Sequence, residues 1–253
     1  MFYLRIMIIR VALICFKSRK TIPRMIRLNS MRKKENRLAG LFMVLVLILG
    51  FSQSVGAATL FPNRARSWNK IPAIVISGKD GDPRTQLVIE AVDFWNKQLS
   101  EIGSGFRLGP VTFTNETIPA EELAARSKAV LSKEGALEPT ASLRKIQGDL
   151  IVVLSDGDFV SFTGPFLSDG RRLVGIRGYR LYPLTLPNVA RNVIAHELGH
   201  AIGLGHNDDP RNLMCGRPAP CRPEAFRSDA DRYFPLMEEE KQFLLKLYPP
   251  TWK

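Results

Sequence analysis

The stretch H-E-L-G-H-A-I-G-L-G-H, residues 196–206, holds every histidine in a chain of 253 residues. His196 and His200 are four positions apart, so on an α-helix they stand on one face, one turn above the other. Two imidazoles placed that way can meet one ion at about 2.0 to 2.1 Å, the usual Zn–N distance. Glu197 is rotated about 100° from His196 around such a helix, beside an ion rather than on it. That is the place of a general base for a metal-activated water. On a straight helix His206 would lie about 15 Å from His196, too far to share the ion, so the chain must turn back. Gly203 stands where a helix can end in the left-handed conformation, and Gly205 adds freedom just before the third histidine. Three ligands leave the fourth tetrahedral position open, as in catalytic zinc sites, whereas a structural site is normally closed.

Working outward, Pro187-Asn188 marks a helix start, and a helix over 189–203 offers Ala190, Val193, Ile194 and Ile202 to a core. The body after residue 58 reads as one α/β domain without repeats or low-complexity segments. Residues 73–77 predict a short buried strand, 106–113 a second, and 150–154 (L-I-V-V-L) a central one. Over 84–102 the apolar residues Leu87, Val88, Ala91, Phe94, Trp95 and Leu99 fall at helical spacing, and a second helix is expected over 119–132. Residues 173–181 predict an edge strand. The last element, 236–247, is a helix whose Glu238, Glu239 and Glu240 suit a positive N-terminus.

The formal charge of +12 points to nucleic acid only until it is divided. Eleven Lys/Arg and the single acid Glu35 put +10 in residues 1–57, which leaves +2 for the rest. The body is nearly balanced, and no nucleic-acid partner is expected. From Met31 the chain reads M-R-K-K-E-N-R, then an apolar run over 38–51, then S-V-G-A-A-T. This is the order of a signal peptide, 31–58, with cleavage after Ala57 or Ala58. The domain that follows occupies 59–253 and is secreted or periplasmic. Residues 1–30 fit less well, with Arg5 and Arg10 interrupting an apolar run, and translation starting at Met31 would make them dispensable. A membrane contact is expected only through an uncleaved signal segment. Cys15 lies upstream, so the exported chain retains Cys215 and Cys221. In an oxidising compartment these favour a local disulfide over a redox or metal pair, because the spacing is not C-x-x-C.

Residues 196–206 resemble, over their whole length, the extended zinc motif of the metzincin metalloproteases. N-D-D-P-R-N-L-M-C-G follows, and Met214 falls at a distance suited to the methionine turn of that group. The short interval from His206 to Met214 is most similar to the matrixin, or matrix-metalloprotease-like, branch. The resemblance implies a mixed, mostly parallel five-stranded sheet with an antiparallel edge strand beside the substrate cleft, three main helices, and a C-terminal subdomain after Gly203. It implies a secreted zinc endopeptidase acting on protein or peptide substrates. One catalytic Zn2+ would be held by His196, His200 and His206, with Glu197 passing a proton from water to the leaving amine, and the protein is expected to be monomeric. Met214 would support the metal from below. Leu213, Gly216 and Pro218 would belong to the wall of a substrate pocket, and Gly175 to Tyr179 to the edge that pairs with substrate.

The departures are Asn207, where matrixins commonly carry Ser, and the absence of an inhibitory cysteine before the motif. No histidines remain for a second, structural zinc. Gly216 excludes a tyrosine ligand of the astacin kind. Calcium is open at Asp156, Asp158 and Asp169, where solvated turn acids are the favoured reading. The alternative function is a zinc-stabilised non-catalytic binding domain, against which the intact Glu197 speaks. Export predicts that N-terminal sequencing of the mature chain returns residue 58 or 59. Recovery of precursor peptides from before Met31 would overturn the start assignment.

Overall fold

A strand covered on both faces has to be apolar throughout, and Leu150–Leu154 forms such a strand, β3, with all five residues buried. The computed structural model describes residues 67–133, 138–164, 167–216, 221 and 223–253. The expected signal peptide and Pro218 therefore lie outside the described residues. Strand β3 pairs in parallel with β1 (Ile74–Ser77) and β5 (Arg172–Ile176). Strand β2 (Val111–Thr114) adds in parallel to β1, and β4 (Phe162–Thr163) adds antiparallel to β5. The order is β2-β1-β3-β5-β4, a mixed five-stranded sheet with an antiparallel edge strand, as the resemblance implies.

Alternation along the strands divides the core into two layers. Ile74, Ile76, Leu150, Val152, Val174 and Ile176 belong to the layer of α1 (Arg84–Glu101) and α4 (Pro187–Ala201). Val75, Ile151, Val153 and Leu173 instead meet Leu123 of α2 (Ala120–Leu131), Leu143 of α3 (Ala141–Lys145), Phe159 and Phe162. Helix α1 buries Val88, Ala91, Trp95 and Leu99 of the predicted stripe and adds Val92, while Leu87 and Phe94 are partly buried against the same core. Trp95 also donates from Nε1 to the Ala195 carbonyl at 2.8 Å, which ties α1 to the middle of α4. With α5 (Glu238–Leu247), four helices of ten or more residues are present among the described residues, one at each of the four places where the sequence predicts a helix. None is long and apolar enough to cross a membrane.

Two expected strands differ from those found. The strand predicted over 106–113 begins only at Val111. Before it, the Asn96 side chain accepts from Leu108 N at 2.8 Å and donates to Leu108 O at 3.2 Å, taking the place of a ladder partner. The strand predicted over 173–181 ends at Ile176 and is interior, bonded on one side to β3 and on the other to β4. Gly175 is consequently not on an open edge. It lies opposite Phe162, where a side chain would strike the phenylalanine ring. The true edge, β4, is two residues long and too short for any periodicity to announce it.

Gly175→Val should therefore destabilise the fold by about 1–3 kcal/mol, the usual cost of overpacking. Adding Phe162→Ala should recover part of that loss, and denaturant titration of the two variants checks both effects.

Candidate metal centre

Helix α4 starts with Pro187 in its first turn, where a missing N–H costs nothing. Asn188, Asn192, His196 and His200 then recur every four residues, so one face of the helix carries all four. The two asparagines bind the chain that returns from the C-terminal side. Asn188 donates to Phe226 O at 2.7 Å and accepts from Arg232 N at 3.0 Å. Asn192 donates to Arg232 O and accepts from Phe234 N, each at 2.8 Å. Their spacing to the histidines was readable in the sequence as a signal that they share the metal-site face.

The helix ends at Ala201, and Gly203 takes φ +109°, the left-handed turn its position predicts. Leu204 N donates to Gly199 O and Gly203 N to His200 O, each at 3.0 Å, closing the helix in a Schellman arrangement. Gly205 does not adopt a positive φ, so the reversal uses one glycine rather than two. Three distant side chains capture the last carbonyls. Trp68 Nε1 donates to Ala201 O at 2.9 Å, the Arg172 guanidinium reaches the same oxygen, and Tyr248 donates to Ile202 O at 3.0 Å.

The reversal brings the three imidazoles together. The Nε2 atoms lie 3.1 Å apart for His196 and His200, 2.9 Å for His200 and His206, and 3.2 Å for His206 and His196. A tetrahedral ion about 2.05 Å from each nitrogen would space them about 3.3 Å apart, so the triangle fits zinc closely. The outer nitrogens settle the chemistry. His196 Nδ1 lies 2.7 Å from Leu213 O and His200 Nδ1 2.8 Å from Leu204 O. A carbonyl only accepts, so both Nδ1 atoms carry the proton and both Nε2 atoms present lone pairs. Two lone pairs facing one another near 3 Å have no hydrogen bond to make; a cation satisfies them. Burial, with His206 beside it, pushes His196 down to about 4, and burial first and the neighbouring imidazoles second hold His200 well below the ordinary range. Both are therefore neutral at physiological pH, as ligands must be. Among the described residues these three form the one group able to hold a metal ion.

Glu197 is buried, with 6% exposure, and its Oε2 accepts from the Thr163 hydroxyl at 2.9 Å. Burial pushes its carboxyl up to about 7, against the lowering pull of that hydrogen bond. Thr163 comes from β4, and nothing in the sequence near it marks it as part of the site.

The segment after His206 packs against α4 and the imidazoles. Leu213 and Met214 are fully buried; Leu213 N donates to Pro235 O and Asn207 N to Met214 O, each at 2.8 Å. A methyl on Gly199 would meet Met214 Sδ at 2.5 Å and the Trp95 ring at 2.8 Å, so the methionine sits against the backbone of α4 between the two helical histidines. Gly216 N donates to Asn207 O at 2.9 Å, and a side chain there would run into the His206 ring. Cys215 and Cys221 are joined as a disulfide, with Cα atoms 5.2 Å apart. Asn207, the departure from the matrixin pattern, donates to the buried Glu240 carboxylate at 2.6 Å. Glu240 also accepts from Met237 N at 2.8 Å, so one of the three acids at the start of α5 caps the helix and links it to Asn207 as well as suiting its positive end.

Other expected residues are not brought here. Gly175 faces Phe162, and the Tyr179 ring lies against the guanidinium groups of Arg84 and Arg180. Asp156, Asp158 and Asp169 each pair with a separate cation, Lys79, Arg177 and Arg171.

Gly216→Ala should displace His206 and weaken zinc binding by about tenfold or more without unfolding the protein, matching the direction of His206→Ala. Competition with a chromogenic chelator measures both; unaltered zinc affinity in His206→Ala would show the third ligand to be misassigned.

No protein-family model and no curated protein matches the chain. Among solved structures it is similar to the crystal structure of archaemetzincin from Methanopyrus kandleri, at 19% identity over 74% of this chain and 97% of that one, with a TM-score of 0.42. It is also similar to a zinc-dependent peptidase from Methanocorpusculum labreanum, at 15% identity over 68% of this chain and 99% of that one, with a TM-score of 0.34.

Proposed function

We propose that this chain is an exported zinc endopeptidase of the metzincin kind, with Glu197 as its general base. One observation carries the reading: three imidazole nitrogens meet as a triangle of zinc dimensions, and a buried carboxylate follows the first of them on the same helix. Zinc held by His196, His200 and His206 would supply a Lewis acid that polarises a scissile carbonyl and acidifies water. Thr163 engages Oε2 of Glu197, so Oε1 is the oxygen left to take the proton from the attacking water. The same carboxyl then delivers that proton to the departing amine. The outer edge of β4 has no strand partner among the described residues, and an extended peptide can add to such an edge through backbone hydrogen bonds. The matrixin likeness rests on the short interval from His206 to Met214. Export is supported by the basic, apolar and small-residue order of residues 31–58 and by the Cys215–Cys221 disulfide.

Protein spanning 59–253 should bind about one zinc per chain and cleave members of a mixed peptide library, with the activity lost on adding a chelator. Glu197→Ala should keep the zinc and lose cleavage by about a hundredfold or more. Unchanged proteolysis in that variant refutes the mechanism. Zinc binding with no cleavage of any library member favours the non-catalytic binding domain instead.

A further inference from the structure

We infer that Thr163 is the positioning residue for Glu197, and that it joins this carboxylate to the strand on which a peptide substrate would pair. The inference rests on the peptidase reading and adds to it a residue from outside the zinc motif. The Thr163 hydroxyl lies 2.7 Å from the Glu197 main-chain oxygen and 2.9 Å from its Oε2. Among the described residues it is the only hydrogen-bond partner of that carboxylate. The single proton of the hydroxyl is shared between the main-chain oxygen and Oε2, and one group within reach of both ends of the same residue restricts how the glutamate side chain can swing. A buried carboxylate whose single donor is removed has no ready replacement.

The sheet decides that Thr163 is in place. Successive residues of a strand point to opposite faces. Phe162 enters the layer of Phe159 and Leu173, away from α4, so Thr163 turns toward α4 and reaches Glu197. Its backbone is held by the pairing with Val174 and by Gly164 N donating to Leu173 O at 2.9 Å. The branched side chain has few rotamers to choose from. A slip of one residue would present the Phe162 ring to Glu197, and Gly175, by leaving room for that ring, guards the register. A peptide adding to the outer edge of β4, which has no strand partner among the described residues, would pair beside the residue that holds the base.

The test compares Thr163→Val and Thr163→Ser with wild type in zinc-loaded protein. Valine keeps the shape and the strand preference, so zinc content and KM should stay within about twofold while kcat falls by about tenfold, and serine should restore kcat. A second readout needs no turnover: binding of acetohydroxamic acid, a zinc chelator that shares a proton with a neighbouring carboxylate. Its Kd should rise several-fold in Thr163→Val, recover in Thr163→Ser, and show no further rise when Thr163→Val is placed in a Glu197→Ala background. Wild-type kcat and hydroxamate binding in Thr163→Val would overturn the inference, as would equal loss in the serine variant or an additive effect without Glu197. Coupling seen with the hydroxamate in a protein that cleaves no peptide would uphold the positioning role and overturn the peptidase reading. A wild-type protein that takes up no zinc would overturn both.

Discussion

A helix can offer two ligands to one ion, and the third has to come from chain that has left the helix and turned back within a few residues. The site therefore depends on how α4 ends. Gly203 supplies the left-handed residue, and the carbonyls that the ending helix leaves exposed are captured from far away in sequence. Trp68 precedes the sheet, Arg172 lies on β5, and Tyr248 follows α5. A helix C-terminus carries partial negative charge, so a buried cation is favourable there. Burial lowers Arg172 to about 10, which still leaves it protonated at neutral pH, and its guanidinium lies over the Trp68 ring with 5.1 Å to the centroid. The turn is thus tied to the sheet, to the chain before β1 and to the chain after α5.

The returning chain does more than deliver His206. Its carbonyls at Leu204 and Leu213 set the tautomers of the two helical histidines, so the segment that brings the third imidazole also orients the first two. Asn207 ties this segment to the last helix. Its amide is long enough to reach Glu240, and the resulting bond ties the residue after His206 to the first turn of α5. Glycines at 199 and 216 serve the opposite need, letting Met214 approach the helix backbone and the His206 ring approach the loop.

Much of this was legible in the sequence where the signal is local and periodic. The stripe of α1, the fully apolar β3, the helix bearing His196 and His200, and the break at Gly203 follow from spacing alone. Residues whose role depends on a neighbour distant in the chain were not legible. Gly175 sits in a stretch that alternates loosely enough to look like an edge, yet its partner is Phe162, and only the pairing of β4 with β5 reveals that the glycine makes room for a ring. Glu240 reads in the sequence as one of three acids suited to a helix N-terminus, and its bond to Asn207 appears only when the chain is folded. Thr163 belongs to a two-residue strand that no window can detect.

By itself the sequence determined which atoms can bind a metal, which carboxylate stands beside them, and where the helix must end, because all three follow from helical geometry and the conformational freedom of one glycine. Only the tertiary structure decided what holds those groups: the carbonyls behind the imidazoles, the hydroxyl on Glu197, and the side chains that cap α4. Such partners are chosen by strand register and by layers closing over the sheet, long-range constraints that leave no periodic trace at the residues they select.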